Sequence, residues 1–177
     1  MIRSLLALLL LAACATAPGP ETPQTVPSVD LARYSGRWHE VARFPQRFQD
    51  SSSLRCENVT ATYYPAAAGG ISVLNECVNG LDPVRAQHHA QGTAYPVEGS
   101  NNARLRVSFF WPIYADYWIL GLDPDYQWAV VGSPSRQYLW ILSRSPSLPE
   151  PQMEQALAIA RAQGYDLSRL MRTAPAT

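Results

Sequence analysis

The sequence predicts an all-β fold: an eight-stranded up-and-down antiparallel β-barrel with one C-terminal α-helix packed outside. Three observations lead there. Eight strand-like segments recur at short intervals, each gap between them holds turn-forming residues, and one stretch of helical periodicity follows the last of them. Eight strands on short connections can close on themselves, which removes the sheet edges and leaves an interior wide enough for one small ligand. The chain has 177 residues, enough for one domain with a real core, and its aromatics are rich in Tyr and Trp, which suits strands or an apolar pocket. Fourteen basic residues stand against 14 acidic ones without a basic block, which argues against a nucleic-acid partner and against a polybasic membrane patch. Beyond the N-terminus no apolar run reaches about 18 residues, so no membrane-spanning helix is expected in the body of the chain.

The chain divides into three parts. Residues 1–13 carry Arg3 and the apolar stretch Leu5 to Leu11, too short to span a membrane and of signal-peptide length. They end in Leu11-Ala12-Ala13 before Cys14, which resembles the lipobox of bacterial lipoproteins. That resemblance implies that Cys14 becomes an acylated first residue bearing palmitate-like chains, and Ala15 after it implies sorting to the outer membrane. An ordinary secretory signal that happens to contain Cys14 is the plainer alternative. Each buried methylene of such an anchor contributes roughly 0.8 kcal/mol, so several chains hold stably. Cys14 and the Pro-, Thr- and Ser-rich stretch up to residue 28 read as a semi-rigid linker, and residues 29–177 as the folded domain.

Within that domain the strands are expected at 37–44, 56–64, 71–78, 88–95, 103–110, 116–122, 127–132 and 137–143. Gly69-Gly70, Asp82-Pro83, residues 99–102, Trp111-Pro112, residues 123–125 and residues 133–135 supply the turns between them. Cys56 and Cys77 flank one hairpin in a compartment that permits disulfides, and a cross-strand bond between them is the preferred reading. Simple counting places the two slightly out of register, so a bulge is expected nearby; two reduced buried thiols are the alternative. Met153, Ala156, Leu157 and Ala160 form an apolar stripe at helical spacing, Ser147 and Glu150 have capping-box spacing, and Gly164 suits a C′ position. The stripe is expected to pack on the outer wall.

The segment from Asp30 through Gly36, Trp38, Glu40 and Phe44 resembles the Gly-x-Trp opening of lipocalins, in the form found in bacterial lipocalins and apolipoprotein D. Asp123-Pro124-Asp125-Tyr126 resembles the second lipocalin motif, and residues 139–144, ending in Arg144, resemble the third. In an up-and-down barrel the connections alternate between two ends, and this parity puts Gly36, Trp38, Asp123, Tyr126 and Arg144 at one end. The resemblance implies that this end is closed, with the Arg144 guanidinium over the Trp38 ring. Parity puts the loop from Pro45 to Arg55 and the segment Trp111 to Tyr114 at the open mouth.

Alternation of side chains sends a predictable set inward. Counting from an inward Trp38 makes Phe44 a ligand-binding candidate, with Glu40 also facing in, and the lipocalin resemblance implies the others: Ala61, Tyr63, Val73, Asn75, Ala94, Val107, Phe109, Tyr117, Tyr138 and Trp140. Small residues at Ala42, Ala61, Gly92 and Ala94 are expected to leave room for a chain. The resemblance implies a fatty acid, a lysophospholipid or a similar amphiphile as ligand and a membrane reached through the N-terminal anchor. The tail is expected deepest and the headgroup at the mouth near Tyr114, Arg85 or Arg136. No catalytic residue, metal or cofactor is expected: His88 and His89 are adjacent and point to opposite faces of a strand, and Ser51 to Ser53 lack a nucleophile elbow. Two other functions stay open: a thiol-dependent enzyme acting on lipid peroxides if Cys77 were free and inward, and an envelope interaction protein with an empty barrel. A homodimer is compatible with the sequence.

Overall fold

The structure is a computed structural model in which residues 22–66 and 69–173 are described. The signal segment, Cys14, the first part of the expected linker and two residues of the turn before Gly69 lie outside the described residues. A short helix α1 (Leu31–Tyr34) precedes strands β1 (Gly36–Arg43), β2 (Cys56–Pro65), β3 (Ile71–Asn79), β4 (Gln87–Pro96), β5 (Arg104–Phe110), β6 (Ile113–Leu122), β7 (Trp128–Gly132) and β8 (Leu139–Ser143). Helix α2 (Glu150–Ala162), a 3-10 turn (Leu167–Arg169) and a two-residue strand β9 (Met171–Arg172) follow among the described residues. All eight predicted strands are present, each antiparallel to the next, and β1 pairs with both β8 and β2, which closes the barrel. Strand β9 adds to β1 from outside.

Two apolar layers flank the barrel wall. The inner one gathers Trp38, Tyr63, Val73, Ala94, Leu105, Val107, Ile119 and Val131. The outer one sets Met153, Ala156 and Ala160 of α2 against Leu120, Trp128, Val130, Leu139 and Ile141. The predicted helical stripe therefore packs outside the wall, with Leu157 at its margin. The expected capping box does not form. Pro149 is the N-cap and makes no side-chain bond, while Pro151 sits in the first turn. A proline there has no N–H to satisfy and its fixed φ already suits a helix, so less is left for Ser147 to cap. At the other end Gly164 takes φ +79° and its N–H bonds the Arg161 carbonyl, while the Tyr165 N–H bonds that of Ala160. This pair of bonds is a Schellman motif.

Cys56 and Cys77 form a disulfide. Cys56 lies opposite Asn79, two residues beyond Cys77, so the bond runs diagonally, and the register shifts between Glu57 and Thr60 as the counting required. The bond closes a loop of sequence separation 21 and is expected to contribute about 3 kcal/mol, chiefly by restricting the unfolded chain. Denaturant unfolding of a Cys56→Ser, Cys77→Ser variant measures this, and a loss below about 1 kcal/mol would show that the bulged hairpin is held by its ladder alone.

From Pro23 on, the segment read as linker lies against the barrel. Pro23 is fully buried, the Val26 N–H bonds the Ile119 carbonyl, and the Val29 N–H bonds that of Asn101.

Candidate functional site

The lumen is sealed at one end by the three motif segments. Asp30 caps α1 by accepting from the Ala32 and Arg33 N–H groups, and α1 lays Tyr34 across the floor, where its ring lies 4.9 Å from that of Trp38. The Trp38 indole N–H donates to the Tyr34 carbonyl at 2.8 Å. The Arg144 guanidinium stacks 3.8 Å from the Trp38 ring centroid and donates to the carbonyls of Arg33, Tyr34, Arg37 and Tyr126. Gly36 takes φ +94°, where a side chain would be strained. Asp123 accepts from the Asp125 and Gln127 N–H groups and so shapes the turn that presents Tyr126, whose ring is covered by Arg33 at 4.1 Å. Gly36, Trp38, Asp123, Tyr126 and Arg144 thus meet at one end.

The wall above this floor follows from the strand registers, because directly paired residues share a face. Trp38, Ala61, Asn75 and Ala90 form one inward row across β1 to β4. Tyr63, Val73 and Gly92 form the next row toward the floor. Ala94 pairs with Val107, Leu105 with Tyr117, and Val131 with Trp140. Phe109 packs against the inner layer, and a Cβ at Gly92 would lie 2.9 Å from its ring, so Phe109 occupies the space that Gly92 leaves. Tyr138 stacks on Trp140, and Phe48 from the first loop stacks on Tyr138 near the mouth. Ala61, Asn75, Ala90, Phe109, Tyr117 and Trp140 all face inward, yet none is buried. A side chain that points inside a barrel and still meets solvent marks open space within it. Asn75 adds an unpartnered buried Oδ1 to that wall.

Two predicted members of this set belong elsewhere. The pairing of β1 with β8 slips between Glu40 and Ala42, so Val41 is an extra residue and the alternation reverses beyond it. Ala42 and Phe44 consequently face outward, where Phe44 packs against Tyr165 of the helical layer at 6.2 Å. Arg43 takes the inward position instead. It is fully buried, and its guanidinium donates to Glu40, Thr173, the Cys56 carbonyl and both oxygens of Asp50. Gln49 donates to Glu40 and accepts from the Trp140 indole N–H, which ties the first loop to the lumen wall. Strict alternation hides this network, because Glu40 and Arg43 share a face only when a bulge intervenes.

The three residues expected near a headgroup at the mouth each have contacts within the protein. Tyr114 faces outward beneath Arg106, Arg85 is paired with Glu57, and Arg136 donates to the Gln163 carbonyl at the end of α2. Large apolar side chains project at the mouth, Phe48, Leu81, Val84, Phe110, Ile113 and Trp111, the last 84% exposed, beside the exposed Arg47. The strongest polar feature of the interior lies at the floor. The Tyr117 hydroxyl is 2.8 Å from those of both Tyr34 and Tyr63. Burial pushes all three phenols up, Tyr63 to about 12, so the cluster is neutral at physiological pH. His88 and His89 pair with Cys77 and Glu76, on opposite faces of β4, and no cluster of three or more His, Cys, Asp or Glu suited to a metal occurs among the described residues.

Comparison with known proteins agrees with this architecture. Residues 29–175 match the lipocalin-like domain family. The chain is 37% identical over 172 residues to the outer membrane lipoprotein Blc of Citrobacter freundii, covering 97% of this chain and 93% of that protein. It is 40% identical over 159 residues to temperature-induced lipocalin-1 of Arabidopsis thaliana, covering 85% of this chain and 81% of the relative. Among solved structures, insecticyanin from the tobacco hornworm Manduca sexta superposes with a TM-score of 0.67 at 18% identity, over 90% of this chain and 88% of that one.

Proposed function

The chain belongs to the lipocalin family, and from that premise we propose that it stores or carries a lipid-like apolar ligand, a fatty acid or similar amphiphile, in its barrel. One observation supports this above the rest: inward-facing apolar and aromatic side chains that keep contact with solvent. Each methylene buried there contributes roughly 0.8 kcal/mol, so a long chain binds usefully without an ion pair. Ala61, Tyr63, Val73, Asn75, Ala94, Val107, Phe109, Tyr117, Tyr138 and Trp140 are the proposed contacts. Cys14 is proposed as the acylated anchor, holding the carrier at the outer membrane. The enzyme alternative required a free Cys77, and in the disulfide-bonded protein that thiol is not free.

Titration of the purified, delipidated protein with fatty acids and lysophospholipids, followed by Trp fluorescence, tests the carrier reading. Trp140 faces the lumen and is expected to report saturable binding at micromolar concentration or below. Ala90→Trp fills the lumen from an inward but uncrowded position and should weaken binding roughly tenfold, as expected for displacing about two methylenes of the chain. An intact fold that binds no amphiphile would remove this function and leave a barrel that acts through its surface.

A further inference from the structure

The three floor tyrosines hold more protons than they have mutual contacts. Each phenol has one proton to donate, and the cluster has two contacts, both made to Tyr117. The hydroxyls of Tyr34 and Tyr63 have no other partner among the described residues. Those two residues are 1% and 4% exposed, so a proton on either that missed Tyr117 would be buried without an acceptor. In the arrangement that leaves neither of these protons without an acceptor, both donate to Tyr117, whose two lone pairs are then filled and whose own proton remains. Tyr117 is the one member that keeps exposure, and through its pairing with Leu105 it faces the lumen.

We propose that the Tyr117 hydroxyl, oriented by Tyr34 and Tyr63, is a hydrogen-bond donor that recognises a neutral oxygen group of the ligand, so that a single-chain alcohol, ketone or undissociated acid lies oxygen-down with its chain toward the mouth. This rests on the carrier reading above and reverses the tail-deepest orientation expected from the sequence. At the rim, Phe48, Phe110, Trp111 and Ile113 suit an emerging chain. A phosphate headgroup at the floor would lack a cation, because Arg144 lies against the Trp38 ring and is occupied by four backbone carbonyls.

The test is competition against a fluorescent fatty-acid probe with dodecanol, its methyl-ketone counterpart and dodecane. Tyr117→Phe should weaken the alcohol and the ketone about fivefold, the worth of one ordinary hydrogen bond, and leave dodecane unchanged. Tyr114→Phe, on the outer face beneath Arg106, should leave all three ligands within about twofold, an effect well below one hydrogen bond. In the wild type, nuclear Overhauser contacts from the methyl beside the ketone carbonyl should reach the Tyr117 ring, and this measurement does not depend on any variant folding. Contacts to Phe110 or Trp111 instead, or an alcohol indifferent to Tyr117→Phe while dodecane still binds, would overturn the floor site alone. Failure of the wild type to bind any of the three would overturn the carrier reading together with it.

Discussion

Arg43→Met is expected to lower the free energy of unfolding by about 3–5 kcal/mol, one of the largest losses from any single substitution in this chain. All five N–H groups of the guanidinium are used: Nε and one Nη2 hydrogen go to Asp50, the other to the Cys56 carbonyl, and the two on Nη1 to Glu40 and Thr173. Without the cation, Glu40 remains buried with only Gln49 and Thr173 to satisfy it. That orphaned carboxylate, rather than the lost attraction itself, dominates the cost. A Glu40→Gln, Arg43→Met double variant should therefore recover part of the loss, about 1–2 kcal/mol, because an amide is cheaper to leave without a cation than a carboxylate. Urea unfolding at neutral pH measures both. A single-variant loss below about 1 kcal/mol would mean that water enters and solvates Glu40.

The same cluster predicts an acid limb in stability. Burial alone would raise the Asp50 carboxyl, but the hydrogen bond from Arg43 and that from the Gln46 N–H outweigh it and hold Asp50 below the ordinary carboxylate value. A carboxyl whose folded pKa is depressed contributes its full stability above the unfolded value, near 4, and loses it as pH falls through the lower folded value. Stability of the wild type should thus decline from about pH 4 downward, and Arg43→Met should flatten that limb. Chemical denaturation at a series of acid pH values reads the difference in slope. Identical limbs in the two proteins would locate the acid sensitivity outside this cluster.

Period-two alternation, turn residues, the order of three short motifs and one apolar stripe at helical spacing made the barrel, its closed end and its outer helix legible in the sequence. Those signals are local or count strands, and a closed up-and-down barrel needs little else. Alternation is also what failed. Val41 carries no chemical mark of a bulge, so Ala42 and Phe44 were expected inside, whereas both face outward and Arg43 takes the inward position. Helix α1 and strand β9 are too short to produce a period, and each exists because tertiary contacts reward it. The Arg144 guanidinium, donating to the Arg33 and Tyr34 carbonyls, holds the first, and the Thr173 hydroxyl, which donates to Glu40, helps hold the second. The tyrosine floor joins residues from α1, β2 and β6, a meeting that no spacing along the chain records.

Trp38→Ala is expected to cost about 3–5 kcal/mol, and the way it does so distinguishes a latched floor from a packed one. The ring is fully buried between the Arg144 guanidinium and Tyr34, with its N–H on the Tyr34 carbonyl. Arg144 keeps its carbonyl contacts without the ring, so the end stays latched, and the volume left by the indole persists as a cavity rather than collapsing. Trp38→Phe keeps most of the volume but loses the N–H bond and part of the cation–π contact, and should cost about 1–2 kcal/mol. If the cavity is real, free indole added to Trp38→Ala has a ring-shaped site with a carbonyl acceptor and a cation above it. It should raise the unfolding midpoint with a concentration dependence that follows its own binding constant. A loss smaller than that of Trp38→Phe, with no response to indole, would mean that α1 drops into the space and that the floor is held by Arg144 alone.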